Sequence, residues 1–235
     1  GVSSVMFLVA WHFMLYMIAE FIEFSPAIAE WLGWKRVSRI LGTLTLGTVI
    51  FGITLSTLHQ SGLGALFLMA KSKIHPLWYS EFIPILFFVS SIFAGLSMVI
   101  VEGMISRKVF RSQIDPEHHA AHDDIVVGLA RICAGTMYVY FFLKVLVFIH
   151  GQHWIHINTP MGWWFLVEIV GFVLIPVRLF AQAVQFRNLS LIRIAAVLTL
   201  IGIVLNRLNV SIIAFKWYAL ERYVPSWMEL EITLG

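Results

Sequence analysis

Six long apolar stretches dominate this chain, at residues 2–24, 39–63, 80–105, 125–149, 161–184 and 190–215, separated by short clusters of polar residues. Each is close to or longer than the roughly 20 mostly apolar residues that a helix needs to cross a bilayer, so the pattern predicts six membrane-spanning helices. Apolar character resumes from Trp227 to Gly235, after Pro225, which predicts the start of a seventh. The first residue is Gly1, and an apolar run follows at once without the charged leader of a secretory signal. The expectation is a fragment, cut at both ends, of an all-α polytopic transmembrane helical bundle, with residues 1–235 forming a single membrane domain. Proline sets the predicted breaks. Ser25-Pro26 is expected to end the first helix, His75-Pro76 and Pro84 to shape entry to the third, Asp115-Pro116 to mark an inner loop and Thr159-Pro160 to open the fifth. Pro176 is expected to kink the fifth span. No repeat and no low-complexity segment is visible.

Composition agrees with this reading. Of 235 residues, 60% are hydrophobic and 12% charged, with mean hydropathy +0.87; soluble domains carry about 25% charged residues. The net charge of +3 acts as an orientation signal and gives no indication of nucleic acid. Lys35, Arg36 and Arg39, then Arg107, Lys108 and Arg111, then Arg187 flanked by Arg178 and Arg193, fall in alternate connections. Basic residues concentrate in short cytoplasmic loops, so these ends are expected inside and Gly1 outside, in an inner membrane.

Polar residues inside the spans carry the candidate chemistry. At 100° per residue, His12, Tyr16, Glu20 and Glu23 fall within roughly 80° on the first helix. Gly52, Ser56 and His59 form a matching stripe on the second, and Ser91, Gly95, Met98 and Glu102 on the third. A charge at the bilayer centre costs about 2.5–3.5 kcal/mol on insertion scales, so such stripes face a bundle or a wet cavity rather than lipid. Joined together, they would form a proton route from Glu23, Glu20 and Glu102 at the cytoplasmic side toward His59. The bland alternative pairs Glu23 and Glu102 with arginines at the helix ends.

The densest polar phrase is Leu58-His59-Gln60-Ser61-Gly62-Leu63-Gly64, set inside an apolar run that continues to Ala70. A quinone needs a donor to its carbonyl oxygens, a proton source and apolar walls. Histidine combines the first two, and Gly62 and Gly64 remove side chains where a flat ring could approach. Trp78 and Tyr79 are candidate ring contacts, or simply interface anchors. Quinone contacts are therefore expected at His59, Gln60, Gly62, Trp78 and Tyr79.

Glu168 lies within the fifth span and is a further proton-transfer candidate, while Arg131, Lys144, Asn206, Arg207 and Asn209 could form a second cluster or a structural network. His118, His119 and His122, and His150, His153 and His156, have spacings that could bind metal, but both groups are expected in loops and no metal site is assigned. Haem b would need histidines on facing helices. His12 and His59 offer one conceivable pair, and the preferred reading is haem-free. Cys133 is the one cysteine, so an iron–sulfur cluster, which usually takes four, must sit in another subunit. A non-redox transporter is the rival class, yet the paired Gly or Pro breaks it predicts are not evident.

Three phrases resemble a known family. Ser56-Thr57-Leu58-His59-Gln60-Ser61-Gly62-Leu63-Gly64, Glu23-Phe24-Ser25-Pro26 and Val101-Glu102-Gly103 look like the NrfD/polysulfide-reductase membrane subunits, with Tyr223-Val224-Pro225-Ser226-Trp227 extending the likeness. Within that family the chain is most similar to the integral-membrane subunit of hydrogenase-2-type nickel–iron hydrogenases, often labelled cytochrome b although the family generally lacks haem. The resemblance implies eight to ten helices, menaquinone or a related quinone bound near the outer face, and a ferredoxin-like iron–sulfur subunit docked there beside the catalytic subunits. It also implies that His59 belongs to the quinone region, and that Glu23 and Glu102, with Glu20 less closely matched, take part in proton transfer.

Overall fold

In a computed structural model, residues 4–110, 116–219 and 226–229 are described, the side chains of Val5 and of residues 116–121 excepted. The described residues are helical apart from turns and one isolated bridge between Ile74 and Phe215. The principal elements are α1 (Val5–Trp31), α2 (Lys35–Leu68), α3 (Ile83–Val109), α4 (Pro116–His150), α5 (Pro160–Leu166), α6 (Ile175–Gln185) and α7 (Leu189–Leu208). A π-helix, Val167–Leu174, joins α5 to α6, and a second, Asn209–Ile213, extends α7. Six helical stretches are long and apolar enough to cross a membrane, as the hydrophobic pattern predicts. The expected seventh, Trp227–Gly235, falls outside the described residues beyond Glu229.

The chain divides into two compact units, one of residues 1–69 and 81–91, the other of 70–80 and 92–235. In the first, α1 packs against α2 as a hairpin. Contrary to expectation, α1 does not stop at Ser25-Pro26. Pro26 lacks the N–H that would bond Ile22 and leaves that carbonyl free, and the Ser25 hydroxyl donates to it at 2.6 Å. The helix runs on to Trp31, where Gly33 supplies the left-handed residue, φ +76°, that closes it. Gly64 has a similarly specific role. A Cβ there would stand 2.9 Å from Pro84 Cα, so only glycine lets α2 pass this close to the start of α3.

The second unit is centred on α4, α6 and α7, with small residues at the crossings. Ala130, Cys133, Ala183, Ala195 and Ala196 are fully buried, the close-approach packing that membrane helices use where no water drives association. Thr159 caps α5 with its hydroxyl and Asn188 caps α7 with its amide oxygen. Pro176 follows directly on the first π-helix, whose wider turn takes up the bond that proline cannot make. Gly202 on α7 faces this turn, and a Cβ on it would meet Phe172 Cβ at 2.7 Å and Phe172 O at 2.9 Å. At the basic ends, Arg107 pairs with Asp123 at 2.6 Å and Arg187 with Asp124.

Candidate functional site

The stripes on α1 and α2 meet. An ideal Cβ on Gly52 would lie 3.7 Å from Glu23 Oε2 and 3.9 Å from Glu20 Oε1, so both carboxylates reach across to α2 at its glycine. One turn toward His59, the Tyr16 hydroxyl lies near enough to Glu20 and Ser56 to interact with both. The spacing responsible is i, i+4, i+8, i+11 on α1 against i, i+4, i+7 on α2. The result is a continuous polar seam between two apolar helices.

At the far end of this seam, the Phe13 ring packs 5.7 Å from the His59 ring. His59 Nδ1 is buried and without a hydrogen-bond partner, an arrangement that stands out because buried polar atoms are nearly always satisfied. His12 bonds Leu8 O through Nδ1 at 2.7 Å, which leaves Nε2 as its other polar atom. Tyr16 and Ser56 each carry a hydroxyl that can both donate and accept, and histidine can take either role by tautomer. This seam can therefore relay protons in chemical principle.

A Cβ on Gly62 would stand 3.1 Å from Val9 Cγ2, and the space at Gly64 is filled by Ile83 and Pro84, so both glycines lie where neighbouring helices approach. His12 and His59 are near enough to act on one another electrostatically.

Gln60 is half-buried on α2, and Glu102 is exposed on α3 beside Met98, Ile105 and Ser106 along a groove of about 310 Å³. Glu102, Trp78 and Tyr79 belong to the second unit.

In that unit Glu168, 2% exposed, is the centre of a polar cage. Oε1 accepts from Asn206 Nδ2 at 2.7 Å; Oε2 accepts from Trp78 Nε1 at 2.7 Å and from Asn209 Nδ2. Trp164 Nε1 donates to Asn209 Oδ1 at 2.9 Å, and Arg207 to Asn206 Oδ1 at 3.1 Å. Both π-helices contribute, one carrying Glu168 and the other Asn209; such local widening often marks functional positions. Lys144 is buried, its Nζ 5.8 Å from the centroids of the Tyr140 and Phe165 rings. Beside it, Phe141, Phe148, Phe165 and Ile169 line an apolar groove of about 270 Å³. Trp78 is the partner least visible in the sequence, because its indole N–H is committed to a residue 90 positions away.

The first histidine cluster is placed differently from expectation, while the second falls in the connection expected between two spans. His118, His119 and His122 lie on α4, which begins at Pro116, rather than in a loop, and the side chains of His118 and His119 are outside the described residues. His153 and His156 lie in a short 3₁₀ turn facing His75, whose ring also packs on Trp78 and Trp217. Burial, with His156 and His153 adding to it, pushes His75 down to about 4; burial chiefly lowers His153 as well. No group of three candidate metal ligands occurs among the described residues.

Comparison with known proteins settles the family. The model for polysulphide reductase, NrfD, matches residues 2–216. The chain belongs to the NrfD family. It is 44% identical over its whole length to a protein of Nitratidesulfovibrio vulgaris (strain Hildenborough), covering 61% of that protein. It is also 28% identical to the probable Ni/Fe-hydrogenase 2 b-type cytochrome subunit of Escherichia coli (strain K12), again along its whole length and covering 59% of that subunit. The chain thus spans about three fifths of the curated relatives it matches. No solved structure matches it. With its six spanning helices, this NrfD-family chain is a multi-pass membrane protein.

Proposed function

We propose that this chain is part of the quinone-reactive integral-membrane subunit of a respiratory oxidoreductase, residing in the inner membrane. Electrons pass between a partner iron–sulfur subunit and menaquinone or a related quinone near the outer face, and the catalytic subunits of a hydrogenase or related enzyme supply or receive them. The observation that carries the reading is the seam ending at a buried, unpartnered His59 nitrogen. The NrfD family and the hydrogenase name of the E. coli relative supply the context.

Quinone reduction takes two electrons and two protons. In this reading His59 donates a hydrogen bond to a quinone carbonyl oxygen and passes on a proton, with Gln60 alongside. Tyr16, Glu20 and Glu23 resupply it through groups that accept on one side and donate on the other. Glu102 on α3 is a further proton-transfer residue in this reading.

Two proteins test the assignment, wild type and His59→Ala, each as the full-length subunit in its assembled complex. The expected result is loss of quinone-linked turnover in the variant, with dye-linked activity of the catalytic subunits retained. Retention of both activities would refute the site. Optical spectra of the same preparation decide the haem question, since a b-type Soret band assigned to this subunit would replace the haem-free reading.

A further inference from the structure

Glu168 is the most enclosed charge among the described residues, and its hydrogen-bond partners can be assigned their roles one by one. An indole N–H and a guanidinium only donate. Trp164 therefore requires the oxygen of Asn209 to face it, and Arg207 requires the oxygen of Asn206. Both amides must then turn their NH2 groups to Glu168, as they do. Flipping either would set N–H against N–H on one side and oxygen against oxygen on the other. The third partner, the Trp78 indole, has no acceptor to offer.

Each carboxylate oxygen thus meets donors that cannot reverse their role. A proton on either would have no acceptor among these partners and would oppose an N–H. Proton carriers need the opposite, a neighbour able to take the proton as well as give it. Hydrogen bonds to an ionised group are also roughly twice as strong as neutral ones, which compensates the buried anion.

We propose that Glu168 is a positioning residue, and not a proton carrier, whose donor-only cage pins segment 70–80 through Trp78 to the two π-helices. Backbone bonds hold the same segment on another side, His75 N to Ala214 O at 2.9 Å and Lys216 N to Lys73 O at 2.6 Å. The indole of Trp78 adds a buried, charge-assisted bond that reaches from the segment into the membrane-spanning helices. The proposal concerns the second unit and does not rest on the quinone reading.

The test uses the full-length subunit in its complex and compares wild type with Glu168→Gln and Trp78→Phe. Infrared difference spectra recorded between about pH 5 and about pH 9, a window above the ordinary carboxyl range, should show no protonated-carboxyl band that disappears in Glu168→Gln. Trp78→Phe should shift a carboxylate stretching band, because one of three donors is gone. Amide hydrogen exchange across residues 74–79 should rise at least about tenfold in either variant, the scale set by losing a hydrogen bond to a charge, and no further in the double variant.

A protonated-carboxyl band that is lost in Glu168→Gln would overturn the proposal, as would unchanged exchange at 74–79 in Trp78→Phe. If Glu168→Gln does not assemble, the wild-type and Trp78→Phe spectra and exchange decide alone. None of these readouts requires quinone activity, so failure of the quinone assignment leaves this result standing.

Discussion

The polar seam of the first unit and the polar cage of the second contain the same kinds of residue and do opposite things with them. Along the seam, the Tyr16 and Ser56 hydroxyls can each give or take a bond beside Glu20, and His59 retains a nitrogen without a partner. In the cage, three donors close on Glu168, and the amide oxygens of the two asparagines are held by two further donors. Relays need spare and reversible valences, whereas anchors have none. Counting buried charges would place Glu168 first among the functional candidates, whereas the direction of each hydrogen bond is what motivates the proposal that it positions and does not carry protons.

This contrast predicts an order of effects. Glu168→Ala should be the most damaging change, since it leaves three buried N–H groups unsatisfied at about 1–3 kcal/mol each; thermal unfolding in detergent should show the largest drop in Tm of this set. Gly202→Ala forces a methyl against Phe172 at 2.7–2.9 Å, partly against backbone. Such overpacking costs about 1–3 kcal/mol, and a smaller fall in the same melting assay is expected. Ser25→Ala removes the hydroxyl that satisfies Ile22 O beside Pro26, for a loss of about 1 kcal/mol. Tyr16→Phe should barely move the melting curve, yet slow quinone-linked turnover with dye-linked activity unchanged. Equal melting losses in Tyr16→Phe and Glu168→Ala would erase the distinction between seam and cage.

Acid provides another probe of the second unit. His75 is held neutral, pushed down to about 4 from the ordinary 6.5. The unfolded chain therefore binds its proton first as pH falls, and the folded state loses stability between about pH 6.5 and about 4. The sign is stability rising with pH. Replacing His75 with Phe should flatten the pH dependence of the unfolding midpoint in that window.

The spans were legible because an unbroken apolar run of this length fits little besides a membrane helix, and the structure moves most of their ends by only a few residues. The α1–α2 seam was legible as well, since residues at helical spacing must share a face whatever their partners. Ser25-Pro26 misled because a proline signals a missing N–H, while the remedy, a hydroxyl one residue earlier bonding back to Ile22, depends on a rotamer. The π-helices were hidden. Val167–Leu174 is apolar nearly throughout, so no change of polar period reveals the widened turn. Glu168 could be noticed but not interpreted, because its partners at 78, 206 and 209 lie 38 to 90 positions away in the chain. At Gly62 and Gly64 the sequence shows only a missing side chain; which neighbouring atoms approach there, Val9, Ile83 and Pro84, is visible only in the packing.

The central claim is that quinone is handled at the seam and not at the cage. Binding of a fluorescent quinone-analogue inhibitor to the intact complex tests it directly, with His59→Ala altering the seam and Trp164→Phe altering the cage. The account predicts that His59→Ala abolishes binding while Trp164→Phe leaves the affinity within about twofold, less than the cost of one hydrogen bond. Binding that survives His59→Ala and is lost in Trp164→Phe would contradict it.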